Sequence, residues 1–270
     1  MKFHILKKLR TSLAITFCLF VSTSVFCQSP YNVNFQNELK YIFGGGAGMG
    51  LASYLHAQTR VLTTNDLYDL EWDDIPGIDR FAVYNSNSGD DLLSDHFFRG
   101  SFLLSALFLS DKKMRSDFGK IAFLYGETAL ISGAVTNLSK SLFQRPRPYV
   151  FNEYVSNDVK FSRNARASFM SGHTSMTATN TVFFAKVFSD YYPDSKLKPY
   201  VWGLALAIPA YVGYLRVNSG NHYPTDVAAG FLVGGAIGFL VPHLHRADWM
   251  RKHKMEIGGG ASGASLTITF

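Results

Sequence analysis

The chain has almost no cysteine: two in 270 residues, Cys18 and Cys27, both near the N-terminus. From Gln28 onward it can form no disulfide and offers no thiolate to a metal, so packing or a bilayer must hold it together. Strand signals are equally scarce. Period-two alternation appears only at Leu266-Thr267-Ile268-Thr269-Phe270, after a Gly-rich stretch, so the remainder reads as mainly helical. Internal repeats are missing, and so is a basic stripe. The net charge is +6, but the cations are dispersed (Lys112-Lys113, Arg246, Arg251-Lys252), which marks no nucleic-acid groove. Long apolar runs are few. Only Tyr200 to Val217 and Val227 to Leu244 approach the roughly 20 residues a bilayer span needs.

What is present is a hydrophobic content of 47%, enough to bury one sizeable core. Lys7, Lys8 and Arg10 precede the apolar run Leu13 to Phe26, the pattern of an export signal cleaved before Gln28 or kept as an anchor. Tyr41 to Leu55 is apolar but glycine-rich, which fits a closely packed helix better than a span. Residues 57–96 scatter Asp66, Asp69, Glu71, Asp73, Asp74, Asp79, Asp90, Asp91 and Asp95 among turn-forming residues; they read as a solvated loop with no metal site. Helical segments follow at Phe97 to Leu109, Ile121 to Leu138, Thr174 to Phe188, Tyr200 to Val217 and Val227 to Leu244, punctuated by Pro193, Pro199 and Pro224. The expectation is an all-α, membrane-embedded bundle of five to six core helices with a short C-terminal β-like tail. Its organisation divides into a signal or anchor (1–27), an N-terminal helix and acidic loop (28–96), a core (97–256) and a Gly-rich tail with one strand (257–270). If Tyr41 to Leu55 does not cross, Lys112-Lys113-Arg115, Lys196-Lys198 and Arg246 to Lys254 fall together on the cytoplasmic side, as positive charge should. The polar clusters then face the opposite side of a cell envelope, although this leaves the tail in the cytoplasm.

Three polar clusters interrupt the helices. Lys140, Arg145 and Arg147 lie in KSLFQRPRP, where Pro146 and Pro148 force the chain out of helix behind fixed cations. Such a set can neutralise an oxyanion, or can simply be the charged end of a helix at a membrane surface. Ser171-Gly172-His173 precedes a helix, where backbone amides can approach an anion; alone, it could equally be a cap beside a surface histidine. Arg216, His222 and Asp226 lie at the mouth of the last helix, with Asp226 four residues after His222. That spacing could let the carboxylate hold one imidazole nitrogen and leave the other as a nucleophile, or could make an ordinary cap hydrogen bond. Ser171 lacks the strand-to-helix elbow of a serine hydrolase, and a zinc site on His173 and His222 has no evident third ligand.

In order and spacing, Lys140-x6-Arg147-Pro148, Ser171-Gly172-His173 and Arg216-x5-His222-x3-Asp226 resemble the three-part signature of the type-2 phosphatidic acid phosphatase superfamily. This family also includes class A acid phosphatases, glucose-6-phosphatases and vanadium haloperoxidases. Met170 stands where the family usually has proline, and Leu215 where it usually has serine. The resemblance implies a phosphatase that needs neither metal nor cofactor. Lys140, Arg147, Ser171, Gly172 and Arg216 would bind the phosphoryl group, His222 would attack with Asp226 orienting it, and His173 would serve as acid and then base. The implied substrate is a membrane-held lipid phosphate or pyrophosphate, such as phosphatidate, undecaprenyl pyrophosphate, phosphatidylglycerol phosphate or a lipid A phosphate. A soluble exported acid phosphatase and a vanadium haloperoxidase are the alternatives. No nucleic-acid partner is implied.

Overall fold

The computed structural model describes residues 29–247 and the backbone of 256–260 and 263–267. The expected export segment at 1–27 and both cysteines lie outside the described residues. Six long helices carry the fold: α1 (Phe35–Gln58), α2 (Ser88–Leu103), α3 (Phe118–Phe143), α4 (Gly172–Tyr191), α5 (Lys198–Asn218) and α6 (Pro224–Leu244). The all-α expectation holds, and the C-terminal β-like tail is a hairpin of two strands, β1 (Glu256–Gly260) and β2 (Gly263–Thr267), paired antiparallel.

Local chemistry extends several helices beyond their apolar runs. The Asn34 side chain accepts from the Gln36 amide and so starts α1 ahead of Tyr41. Asn87 caps α2 by accepting from Gly89 and Asp90, and Asp90 and Asp91 sit in its first turn, where the helix dipole favours them. Thus α2 begins inside the stretch read as a solvated loop. That reading failed because Asn-Ser-Gly-Asp-Asp is both a turn composition and a good helix start. The rest of the segment also folds, into short helical turns at Thr64–Tyr68, Trp72–Asp74 and Arg80–Tyr84.

Helix α4 is the centre of the bundle and packs against α2, α3, α5 and α6, while α1 lies along α3. Its buried face is rich in hydroxyls and amides: Thr174, Ser175, Thr177, Thr179, Asn180 and Thr181. Buried polar groups need partners, and neighbouring helices supply most of them. Ser132 and Thr179 hydroxyls lie 2.7 Å apart, Asn180 donates to Ser101 at 2.8 Å, and Thr181 donates to the Ala205 carbonyl at 2.7 Å. The outer surface is the apolar one, with Leu103, Leu107, Leu204, Tyr214, Leu232 and Leu240 exposed. Ser88–Ser110, Lys198–Asn218 and Pro224–Leu244 are long and apolar enough to cross a membrane. A polar interior inside an apolar coat explains how a mean hydropathy of only +0.04 accommodates three such helices.

Close approach of α4 to α6 sets the geometry of the site. Gly230, Gly234 and Gly238 form one stripe on α6, and a Cβ on each would sit 2.6, 2.1 and 2.5 Å from the carbonyl oxygens of Ser171, Ser175 and Thr179 respectively. Only hydrogen fits there, so the two helices pack backbone to backbone and their N-termini converge. Gly234→Ala should therefore destabilise the fold by about 1–3 kcal/mol. Thermal unfolding in detergent should show a clear drop, whereas Gly203→Ala, within α5 and with a Cβ that would meet nothing within 4 Å, should leave the midpoint unchanged or raise it slightly.

Candidate active site

The C-terminal end of α3, the N-termini of α4 and α6 and the C-terminal end of α5 meet at one end of the bundle. Lys140 lies in the last turn of α3, and the chain leaves the helix through Gln144 at φ 45 before Arg145-Pro-Arg147-Pro. Arg147 is buried and bound only to neutral groups. It donates to the Asn164 carbonyl and side chain at 2.9 Å each, and to Asn221 Oδ1 at 3.1 Å. Lys140 donates to the Ala167 carbonyl at 3.2 Å. Neither has a carboxylate partner among the described residues.

The other two cations are neutralised. Arg145 donates to Asp226 at 2.6 Å and to Asp79 at 2.8 Å, and its guanidinium lies 4.0 Å from the Tyr223 ring centroid. Arg216, 4% exposed, pairs with Asp91 and donates to Ser94 Oγ at 3.1 Å. Its Nε has no hydrogen-bond partner among the described residues, which leaves one buried donor for an anion. The hydroxyl of Ser94 thus reaches the arginine from α2, while Leu215 is buried beside it. Met170 also gains something from not being proline: its amide donates to Ser139 Oγ at 3.1 Å.

Ser171 is the N-cap residue of α4. Its amide donates to the Asp226 carbonyl at 3.1 Å and its hydroxyl lies 3.0 Å from that of Thr174, which ties the start of α4 to α6. The amides of Gly172 and His173 belong to the unpaired first turn, the usual anion site of a helix. A Cβ on Gly172 would stand 3.6 Å from Lys140 Nζ, so the glycine lets the ammonium lie close to those amides.

His222 is buried in the loop between α5 and α6. Its Nδ1 lies 2.8 Å from the Ser168 carbonyl, so Nδ1–H donates and the Nε2 lone pair faces no partner among the described residues. Asp226 Oδ2 stands 3.7 Å from Nδ1, so the expected direct grip of the carboxylate on the ring gives way to an indirect one. Asp226 accepts from the Ser168 hydroxyl at 2.5 Å, the Tyr223 amide at 3.0 Å and Arg145, and thereby fixes the segment whose carbonyl holds the imidazole. The i, i+4 rule presumes that both residues are helical, but α6 starts at Pro224, after the histidine.

Three carboxylates that no local pattern singles out complete the arrangement, all from residues 57–96. Asp79, fully buried, accepts from the Thr225 amide at 3.0 Å and hydroxyl at 2.5 Å as well as from Arg145. Asp91 pairs with Arg216. Asp95 Oδ1 lies 2.7 Å from His173 Nε2, with the Phe98 ring 4.6 Å from the imidazole. The segment docks through Gly220, at φ 71, where a Cβ would stand 2.2 Å from the Asn85 carbonyl. The capping pattern at Asn87 was the one legible signal that α2 existed there.

The electrostatics follow from this burial of like charge. Burial, with Arg147 and Arg216 nearby, pushes the Lys140 ammonium down to about 7. Burial, then Arg216, pushes the His173 imidazole down to about 4 against the opposing pull of Asp95. Burial, followed by Arg147, Lys140, Arg216 and His173, holds His222 well below its ordinary value, so it is neutral at pH 7. These mutual influences bring Lys140, Arg147, His173, Arg216 and His222 into one electrostatic cluster. Chemically, it offers a neutral nucleophilic nitrogen beside cations that a dianion would relieve.

Residues 121–250 match the family model of the PAP2 superfamily. The chain is similar to a lipid A 1-phosphatase of Rhizobium etli, 36% identical over 121 residues that make up 44% of this chain and 47% of that protein. It is also similar to phospholipid phosphatase 2 of Rattus norvegicus, 29% identical over 143 residues, 44% of this chain and 49% of that one. A solved structure, the transmembrane PAP2-type phosphatidylglycerolphosphate phosphatase of Bacillus subtilis, aligns over 74% of this chain and 94% of its own with 23% identity and a TM-score of 0.45. The chain spans about half the length of the curated relatives it matches.

The two classes of cation are separable by experiment. Arg145→Ala leaves Asp79 and Asp226 buried and unpaired and should cost about 3–5 kcal/mol of stability. Lys140→Met should leave the thermal midpoint at pH 7 unchanged or higher. A lysine whose folded pKa lies below its unfolded one loses stability as pH falls through that interval, so the substitution removes a penalty. Thermal melts of both variants in detergent check this.

Proposed function

We propose that a chain with this PAP2-superfamily core hydrolyses a lipid phosphate or pyrophosphate through a phosphohistidine intermediate. The observation that carries the reading is the free Nε2 of a buried, neutral His222 beside two cations that no carboxylate neutralises. The phosphoryl oxygens would lie among Lys140, Arg147, Ser171, the Gly172 amide and Arg216, groups already oriented for charge that grows in the transition state. Nε2 of His222 forms a bond to phosphorus as the bond to the ester oxygen breaks in line. The departing alkoxide takes the proton of His173, whose neutral form then accepts a proton from the water that hydrolyses the phosphohistidine. Asp226 acts on His222 through the Ser168 carbonyl. Asp95 holds His173 from behind. A phosphoryl dianion offsets the cations that depress His173 and raises its pKa toward the range where an imidazolium persists.

Two features favour a lipid over a soluble ester. Three helices are apolar enough to cross a bilayer, and two adjoining apolar cavities, of about 260 and 210 Å³, run between α2 and α5 from His96 to Leu204. His96 follows Asp95 directly, so a tail in this groove would bring its headgroup to the cations. The names of the relatives, a lipid A 1-phosphatase and a phospholipid phosphatase, support a lipid phosphate as the substrate. Lys112, Lys113, Arg115, Lys196 and Lys198 gather at the opposite end of the helices, and by the positive-inside rule the site would face away from the cytoplasm.

Phosphate release from phosphatidate, a lipid A phosphate, an isoprenyl pyrophosphate and p-nitrophenyl phosphate should favour a lipid, and His222→Ala should abolish it by at least about 10³-fold. A preference for the soluble ester, or turnover surviving in the variant, contradicts the reading. Asp95→Asn removes the group that raises the pKa of His173. An acid must be protonated to act, so the limb on which activity falls with rising pH should move to lower pH, with kcat reduced about 10²-fold.

A further inference from the structure

At the far end of the bundle, a second cluster has no part in this chemistry. Glu38 near the start of α1, Glu127 on α3 and His245 just after α6 are buried at 3%, 3% and 8% exposure. Glu127 is 13 residues before Lys140 on α3, about 20 Å along the helix axis. His245 Nε2 lies 3.1 Å from Glu38 Oε2 and 3.8 Å from Glu127 Oε2, and one donor atom from each residue falls within 4.8 Å of the others.

We propose that Glu38, Glu127 and His245 form a structural site for a divalent metal ion of the zinc class, which clamps α1, α3 and α6 together. The imidazole is oriented for ligation: its Nδ1 lies 2.7 Å from the Val241 carbonyl, so Nδ1–H donates there and the Nε2 lone pair points to the carboxylates. A carbonyl behind a ligating histidine is the usual arrangement at metal sites. Ligand bonds of about 2.0–2.2 Å in a tetrahedral site put ligand atoms about 3.3–3.6 Å apart, and the two His245 distances straddle that range.

The decisive observation is the Glu127 Oε2 atom, which is buried with no hydrogen-bond partner among the described residues. A proton shared by His245 and Glu38 satisfies one carboxylate and leaves this oxygen desolvated and unpaired, a costly state. One divalent ion satisfies both carboxylates and the imidazole and cancels their two negative charges. Three ligands leave the fourth position to water. The ion is remote from His222, so it fastens the bundle and takes no part in phosphoryl transfer.

The test uses the full chain in detergent with any affinity tag removed, stripped with chelator and then given zinc. Zinc retained after gel filtration should reach one equivalent per chain and raise the thermal midpoint, and cobalt in its place should give the visible absorption of a tetrahedral site. Glu127→Gln and His245→Gln should lose that equivalent, while His222→Ala should keep it, so the result is independent of whether the phosphatase reading holds. Wild type that retains no zinc and shows no cobalt spectrum overturns the proposal, as does retention undiminished in a folded Glu127→Gln chain.

Discussion

The fold is arranged around four cations gathered at one end of the bundle, Arg147 and Arg216 buried and Lys140 and Arg145 partly so. Desolvated like charges repel, and the fold answers by dividing them. Arg145 is held between Asp79 and Asp226 and Arg216 is paired with Asp91, while Lys140 and Arg147 receive only neutral acceptors. The paired cations serve as struts, with Arg216 keeping one unpartnered Nε. The unpaired ones make the cluster a place where an anion is favoured. Burial, reinforced by the same field, keeps His222 neutral, so the desolvated cluster yields both the cradle and the unprotonated nitrogen beside it.

Holding that cluster together requires elements distant in sequence to converge, and small residues permit this. The glycine stripe on α6 brings the α4 carbonyls to within contact of its backbone, and the Ser171 amide then reaches the Asp226 carbonyl. Hydroxyls on α4 replace the apolar side chains that a helix centre would ordinarily carry, and the apolar surface faces outward instead. An apolar coat around a polar centre is what a helical bundle that crosses a bilayer would need.

The parts of this arrangement legible in the sequence are those whose spacing is local. Lys140 to Arg147, Ser171 to His173 and Arg216 to Asp226 each lie within a few residues, and each lands at the same end of the bundle. The carboxylates were not legible, because nothing in residues 57–96 tells Asp79, Asp91 and Asp95 from their solvated neighbours until the cations are placed against them. The role of Asp226 was read from a helical spacing that does not apply before Pro224. Glu38, Glu127 and His245 are too far apart in the chain for any spacing rule, and the packing of α1 and α6 on α3 joins them.

In the proposed reaction the His222 nitrogen takes the phosphoryl group. The most direct measurement is a rapid quench of the protein with phosphate-labelled phosphatidate, followed by alkaline peptide mapping. An acid-labile, alkali-stable label on the peptide that contains His222, formed before product is released, is the predicted result. Turnover with no label on the chain, or with the label on another residue, would contradict it.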